Sequence, residues 1–269
     1  LRHYAAFAKL GRAFHWFDER LDHQWSFTPP DTATPSGRQP QLQGVEVNDL
    51  DGDGQFEIYL SFSNPHNLYR LRIDGAQQWV VPLESFGVAL AADPVTLPGE
   101  LVIATNEGNL RRVNANGDLA DPTPSSRAFF DLVGRGPATK VPGRSPAEFA
   151  PFVALSYAVG GRTIVAGQSG DLAETWAYGL PGGSFQYQVR SPRYAQLNRD
   201  ETLGWWIAAG PDGSVHWIRA DGGTYDSFRT GVSIRGIAAL GGTDLNQDGF
   251  RLFVASESTL HAYQLRAPR

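Results

Sequence analysis

Short apolar runs alternate with polar turns along the whole chain. The runs are rich in β-branched and aromatic residues, and the clearest are Phe56–Leu60, Glu100–Ala104, Arg162–Ala166, Gly204–Ala208 and Arg251–Ala255. Runs of this length and composition predict strands that are buried on both faces. Each run is followed by a turn and by a second strand that starts on an aromatic or aliphatic residue, so a strand–turn–strand unit recurs.

This recurrence is nearly periodic. The second strands begin near Phe14, Leu68, Leu110, Leu172, Val215 and Leu260. Most of the intervals are about 42–45 residues long, which is typical of propeller blades with four strands each. A sandwich or a jelly roll also has many short strands, but it would not repeat one motif in register. The pattern therefore predicts an all-β chain that forms a β-propeller of about six four-stranded blades, or five if the two ends share one blade.

The whole chain, residues 1–269, is interpreted as one propeller domain. Its repeats are predicted at about 1–30, 41–83, 84–120, 149–190, 193–231 and 232–269. The segments 29–41 and 121–148 are rich in Pro, Ser, Gly and Arg, which predicts loops inserted between blades. The first repeat lacks an obvious innermost strand and the last lacks an outermost strand, which we expect if part of the propeller lies outside this chain.

An acidic segment between the first two strands of the second repeat is the strongest chemical signal. Acidic side chains stand at positions 1, 3, 5 and 9 of this segment, as Asp49, Asp51, Asp53 and Glu57, and Gln55 supplies a further carbonyl oxygen. Calcium binds about 6–8 oxygen ligands, several of them carboxylates. An EF-hand would place its last ligand at position 12 between flanking helices, but position 12 here lies inside a predicted strand. The segment therefore predicts a structural Ca²⁺ site.

A weaker copy stands at the same place in the last repeat. Asp244, Asn246 and Asp248 keep positions 1, 3 and 5, whereas position 9 is Leu252. The segment Gln196–Asp200 is a more decayed copy, for which an ordinary turn is the better interpretation. Asp, Asn and Gly are also common turn residues without any metal, so the alternative of plain turns stays open for each copy.

With these residues in view, the chain resembles calcium-binding β-propellers of the FG-GAP/VCBS type, whose blades carry a D-x-D-x-D-G-x-x-[DE] loop. Asp49, Asp51, Asp53 and Glu57 match that pattern fully. The segment Asn67–Trp79 is similar to the hairpins of PQQ-type repeats, which end in Trp. The resemblance implies an exported or cell-surface protein, because members of these families serve as adhesins, assembly scaffolds or carbohydrate-linked modules, and some are lyases.

Composition excludes several classes of function. The net charge is −5, so the chain has no general attraction to nucleic-acid phosphates. No cysteine is present, which rules out disulfides, thiolate catalysis and zinc–thiolate sites. The sequence contains no apolar run long enough to span a membrane, no G-x-S-x-G motif, no P-loop and no dinucleotide fingerprint.

These observations favour a non-catalytic, calcium-stabilised β-propeller that binds a protein or a glycan, or takes part in an assembly, outside the cytoplasm. The alternative is a lyase-like enzyme acting on polysaccharides or a quinone-dependent enzyme. The first place to expect a partner contact is the loop 121–148. Trp25 and Trp79 hold the same repeat position and are expected to pack between blades, while His15, His216 and His261 are expected to be spread around the ring.

Overall fold

The computed structural model describes residues 4–7, 11–30, 39–85, 87–93, 97–125, 127–134, 151–157, 161–182, 192–196, 204–219, 221–240 and 250–265. These residues form β-strands, turns and bends, and they contain no helix. Consequently, nothing in the described part of the chain is a helix long and apolar enough to cross a bilayer. The chain divides into two compact units, and the described residues of each form three antiparallel sheets.

The first unit comprises Leu1–Ala92 and Gly99–Pro124. Its first sheet consists of β1 (Tyr4–Phe7), β2 (Phe14–Phe17) and β3 (His23–Phe27). The second sheet consists of β4 (Gln41–Asn48), β5 (Glu57–Ser63), β6 (Asn67–Arg72) and β7 (Gln77–Pro82). The third sheet consists of β8 (Gly87–Ala92), β9 (Glu100–Thr105), β10 (Asn109–Asn114) and β11 (Thr123–Pro124). Within each sheet, every strand pairs with the next one along the chain.

The second unit comprises Asp93–Pro98 and Ser125–Arg269. The fourth sheet consists of β12 (Phe129–Gly134), β13 (Phe152–Tyr157), β14 (Thr163–Gln168) and β15 (Glu174–Gly179). The fifth consists of β16 (Arg193–Gln196), β17 (Gly204–Ala209), β18 (Ser214–Arg219) and β19 (Thr224–Arg229). The sixth consists of β20 (Gly236–Leu240), β21 (Phe250–Ala255) and β22 (Leu260–Leu265).

The predicted burial of the central strands on both faces is confirmed for β5, β9, β14 and β17, but β21 alternates, with Arg251 exposed and Phe253 only half-buried. All seven residues of β5 are buried, and their side chains alternate between two cores. Ile58 and Leu60 pack with Phe14 of the first sheet, whereas Tyr59 packs with Ile103 of the third. In the second unit, Trp205 and Trp206 likewise point into different cores. No sheet could bury both faces alone, so neighbouring sheets within each unit must stack.

In three places, a tryptophan on the last strand of one sheet packs on a glycine in the next sheet. Trp25 lies over Gly75, Trp79 over Gly117 and Trp176 over Gly222. The indole N–H of Trp25 also donates to the Ile73 carbonyl at 3.0 Å, and that of Trp79 to the Ala115 carbonyl at 2.9 Å. The expectation that the repeat tryptophans pack between sheets is therefore confirmed.

The structure corrects the sequence-based repeats in the fourth sheet. Residues 129–134 form β12, although 121–148 was predicted to be an inserted loop. Leu172 was expected to begin a strand, but it lies in the turn between β14 and β15 with φ 68°. The pattern placed the third strand of this sheet at Leu172, whereas in the structure the third strand is β14, which ends before that residue. Residues 126 and 135–148 of the same loop lie outside the described residues.

Glu46 on β4 provides a test of how the folded chain responds to pH. The residue pairs with Tyr59, and burial raises the pKa of its carboxyl to about 7, against a smaller opposing effect of a hydrogen bond with Asn48. A raised carboxyl pKa means that the folded state binds the Glu46 proton more tightly than the unfolded state does. The protein therefore keeps its full stability below pH 4.5, and ionisation of Glu46 lowers the free energy of unfolding as the pH rises to 7.

We therefore expect Glu46→Gln to be more stable than the wild type by about 2 kcal/mol at pH 8, and equally stable at pH 4. Urea denaturation at both pH values measures the difference. The matched control is Glu84→Gln, because the Glu84 side chain is 81% exposed. A stability difference that does not change with pH would show that the Glu46 charge is not the cause.

Candidate functional site

The connection from β4 to β5, residues Asp49–Glu57, is named the acidic loop. The Asp49 carboxylate closes it by accepting hydrogen bonds from the backbone N–H groups of Gly52 at 2.8 Å and Gly54 at 3.0 Å. Both glycines adopt positive φ, 73° and 87°, which other residues rarely do. The D-x-D-G-D-G pattern thus folds into a tight turn through contacts within the turn itself.

Three of the predicted calcium ligands come together in this loop. Oxygen atoms of Asp49, Asp51 and Glu57 all lie within 4.8 Å of one another. Glu57 opens β5 and is only 4% exposed. Asp53 lies outside this group, because its carboxylate accepts hydrogen bonds from the backbone N–H of Gln55 at 2.7 Å and from the side-chain amide of Gln55 at 3.5 Å. The side chains of Asp53 and Gln55 therefore contact each other, while the backbone N–H of Asp53 donates to the Asp51 carboxylate at 3.3 Å.

Arg70 supplies a cation that the sequence analysis did not anticipate. Its guanidinium forms salt bridges with Asp51 and, at 3.0 Å, with Glu57. It also donates to the Ala115 carbonyl in the third sheet at 2.7 Å. The contact with Arg70 lowers the pKa of Asp51. Burial raises the pKa of Glu57, and Arg70 opposes that effect.

The three carboxylates suit a hard cation. Calcium prefers oxygen ligands, and three carboxylates would supply part of its shell, with backbone carbonyls and water completing it. Arg70 already neutralises two of the three groups, so a bound ion would have to share them or displace the guanidinium. The donor set is therefore compatible with Ca²⁺ binding in competition with Arg70.

An open groove of about 840 Å³ adjoins the acidic loop. Its lining is mixed: Phe56 and Ile73 are apolar, while four carboxylates and two guanidiniums bear charge. The lining residues are Asp51, Asp53, Gly54, Gln55, Phe56, Glu57, Arg70, Arg72, Ile73, Asp74 and Gln78. Phe56 is 56% exposed and Ile73 is 37% exposed, so the groove presents apolar surface to solvent.

The second calcium loop, Asp244, Asn246 and Asp248, lies outside the described residues, as do residues 197–200 of the decayed copy. Its role as a metal site stays a prediction. Asp49–Glu57 is therefore the one copy of the acidic pattern whose full length lies within the described residues.

Each of the three histidines that recur along the repeats, namely His15, His216 and His261, has its own hydrogen-bond partner. His15 contacts Ser26 at 2.7 Å, and His261 contacts Thr259 at 2.9 Å. His216 is 4% exposed and lies between Ser214 at 2.6 Å and the hydroxyl of Tyr178 at 2.9 Å. Burial lowers the pKa of His216. The buried Ser214–His216 pair is closed to solvent, which speaks against a role as a nucleophile and base.

The tryptophans do not form an exposed platform. All seven lie in described parts of the chain, and each is either buried or half-buried. Trp206 is fully buried, and Trp16 and Trp205 are each 5% exposed. Sugar stacking requires an open aromatic face, which a buried or half-buried tryptophan presents at most in part.

Comparison with known proteins identifies the fold. No protein-family model matches the chain, and no curated protein sequence matches it. Among solved structures, BBS1N in complex with ARL6DN aligns with a TM-score of 0.69 and 13% identity, over 98% of this chain and 74% of that chain. The Pan2 WD40 domain of Neurospora crassa aligns with a TM-score of 0.62 and 11% identity, over 96% and 74%.

BamB from Moraxella catarrhalis aligns with a TM-score of 0.55 and 11% identity, over 94% of this chain and 67% of that chain. At such low identity these likenesses show the fold alone. The chain has the β-propeller fold predicted from its sequence, and four of its six described sheets have the four strands expected of a blade. Its resemblance to the FG-GAP/VCBS type in particular stays a prediction.

Proposed function

We propose that this chain is a non-catalytic, protein-binding β-propeller that acts outside the cytoplasm, with its partner docking in the groove of the second blade. The observation that carries the proposal is the groove itself, whose lining combines two exposed apolar side chains with six charged ones. Its structural neighbour BBS1N was crystallised with a protein partner, ARL6DN, which is consistent with a binding role for the fold.

The apolar side chains of the groove give it the character of an interface. Phe56 and Ile73 are two of the six large hydrophobic side chains that are exposed in the described residues, and they line the same groove. Aromatic anchors in a pocket commonly provide most of the binding energy of an interface. A partner side chain that covered Phe56 and Ile73 would remove both from water.

The charges of the groove define the partner's chemistry. Four carboxylates and two guanidiniums line it, so its net charge is negative. Arg70 is engaged with Asp51 and Glu57, and Arg72 pairs with Asp74. Asp53 is exposed and contributes acceptor oxygens to the groove. The groove therefore suits a segment in which Lys or Arg stands next to an aliphatic or aromatic residue.

The selection of a displayed peptide library tests this chemistry. Peptides that bind the wild type but not a Phe56→Ser/Ile73→Ser variant should be enriched in adjacent basic and apolar residues. Recovery of acidic or purely apolar sequences would contradict the proposed partner. If every peptide bound the double variant equally, the groove would not be the binding site.

We further propose that Asp49, Asp51 and Glu57 bind Ca²⁺ and thereby fix the wall of the groove. The clustering of three carboxylate oxygens within 4.8 Å supports this. Competition with Arg70 would keep the site weak, in the range of extracellular calcium modules, about 10⁻⁴–10⁻³ M. Calcium at that concentration is an extracellular condition, which agrees with the proposed location.

Calcium at about ten times its Kd is expected to raise the free energy of unfolding by about 1.4 kcal/mol. The thermal midpoint of the wild type should then be a few degrees higher in calcium than in a chelator. Asp49→Asn should abolish that difference. Asp74→Asn, which changes a groove carboxylate outside the cluster, should retain it. An equal midpoint with calcium and chelator in the wild type would refute the calcium proposal and leave the docking proposal intact.

No described residue arrangement specifically favours the alternative of a lyase-like or quinone-dependent enzyme. The glycan-binding alternative has no exposed tryptophan to support it among the described residues. Protein binding is therefore the function that the groove supports best.

A further inference from the structure

Two histidines and a serine meet on one face of the first blade, whereas the acidic loop belongs to the second. His15 on β2 is directly opposite Ser26 on β3. A bulge between Trp16 and Phe17 shifts the register, so that His23 stands opposite Phe17. Side chains alternate between the faces of a strand, and the register therefore brings His15, His23 and Ser26 to the same face.

The two imidazoles converge on one point. Nδ1 of His15 and Nε2 of His23 each lie 2.7 Å from the Ser26 hydroxyl oxygen. The ring centroids are 5.7 Å apart, and the His23 ring also meets the edge of Phe17 at 5.5 Å. One hydroxyl group has a single proton to donate, so the serine bridges the two rings by donating to one and accepting from the other.

The opposite face of the same strands holds this arrangement in place. Trp16 and Trp25 stack there with centroids 6.0 Å apart, and Trp25 bonds to the Ile73 carbonyl of the second blade. The hairpin is thereby anchored beneath the histidines. His23 and Ser26 are exposed and His15 is half-buried, so ions and water can reach the two ring nitrogens.

From this geometry we propose that His15 and His23 bind a late first-row divalent metal ion, Cu²⁺ or Zn²⁺, between their ring nitrogens. Imidazole nitrogen is a preferred ligand of both ions. In the structure the Ser26 hydroxyl occupies the point on which the two nitrogens converge. Rotation about the Cα–Cβ bond of Ser26 would move this hydroxyl aside and leave room for the ion. Two protein ligands leave the remaining coordination positions to water. The site is chemically distinct from the acidic loop, whose oxygen ligands suit calcium.

Calorimetric titration of the full chain with Zn²⁺, and electron paramagnetic resonance with Cu²⁺, test the proposal. We expect one saturable site per chain, with two nitrogen ligands to Cu²⁺. His15→Ala and His23→Ala should each abolish this site. Ser26→His should lower the Kd by about tenfold or more, since even residues that only contact metal ligands commonly change affinity 10–100-fold.

His261→Ala is the matched control. His261, like His15, directly follows the residue at which a repeat strand begins, and it contacts a hydroxyl group, but it has no second imidazole among its described contacts. This variant should bind the metal as the wild type does, and so should Asp49→Asn. Saturable binding that survives in the His15→Ala/His23→Ala double variant would place the ion elsewhere and overturn the proposal. Absence of saturable binding in the folded wild type would overturn it equally.

Discussion

Replacing Arg70 with methionine is expected to lower the free energy of unfolding by about 3 kcal/mol, because removal of one partner from a buried ion pair leaves the other uncompensated. The Arg70 side chain is 12% exposed and that of Glu57 only 5%. Without the guanidinium, the carboxylates of Asp51 and Glu57 face each other across the acidic loop. The Ala115 carbonyl also loses one of its two side-chain donors.

Arg72→Met provides the matched control for this variant. Arg72 lies two residues further on the same strand and pairs with Asp74, but both side chains are more than half exposed. Exposed ion pairs contribute about 0–1 kcal/mol, so this variant should be nearly as stable as the wild type. Urea denaturation measures both, and equal losses in the two variants would contradict the role assigned to Arg70.

Arg70→Met also tests whether the acidic loop binds calcium. If Asp49, Asp51 and Glu57 bind Ca²⁺ in competition with Arg70, then calcium should stabilise Arg70→Met more than it stabilises the wild type. If calcium has no effect on either protein, Arg70 alone neutralises the loop. The stability loss in chelator and the rescue by calcium are thus separate measurements, and either can fail without the other.

Gly222→Ala is the second change with a large expected effect, a loss of about 3 kcal/mol. Gly222 has φ 85°, and a Cβ placed there would lie 2.5 Å from Cγ of Trp176. Backbone strain in the left-handed region costs about 1–2 kcal/mol, and overpacking against the indole adds about 1–3 kcal/mol. The tryptophan cannot move away easily, because its ring also lies over Gly167.

A double-mutant cycle separates these two costs. In a Trp176→Ala background, Gly222→Ala should cost only the backbone strain of about 1–2 kcal/mol. Gly231→Ala is the control, because Gly231 has φ 76° but no atom within 4 Å of the added Cβ. Chemical denaturation of the four proteins of the cycle gives the coupling. Additive losses would show that the indole does not press on Gly222.

The acidic loop could be predicted because its structure is local. Asp49 closes the turn on Gly52 and Gly54, which are three and five residues away, and these residues stand in the sequence as a recognisable pattern. The strands flanking the loop followed from hydrophobic periodicity. Phe56 is the exception, because it was placed at the start of a buried run and is in fact exposed before β5 begins.

Arg70 could not be predicted in the same way, because its role depends on strand register. Arg70 is paired with Tyr59 across β5 and β6, and only this pairing brings its guanidinium to Asp51 and Glu57. The chain has 23 lysines and arginines, and composition does not distinguish the one that faces the loop. A basic residue on the strand next to an acidic loop is a signal that would have narrowed the choice to Arg70 and Arg72.

The strand β12 was missed because a compositional argument was applied to a segment that was too long. Residues 121–148 are rich in Pro, Ser, Gly and Arg as a whole, but Phe129–Gly134 contains enough apolar residues to pair with β13. Leu172 was misplaced for a different reason. An isolated leucine in a turn, buried to 3% exposure, has the same hydrophobicity as a leucine in a strand.

The most direct test of the docking proposal is the dissociation constant of one selected basic–apolar peptide, measured by calorimetry. The account predicts that Phe56→Ser/Ile73→Ser weakens binding at least about tenfold, because each anchor contributes on the order of 1 kcal/mol or more. Val80→Ser should bind as the wild type does, because Val80 is 42% exposed on β7 of the same blade but does not line the groove. Equal dissociation constants for the wild type and the double variant would contradict the account.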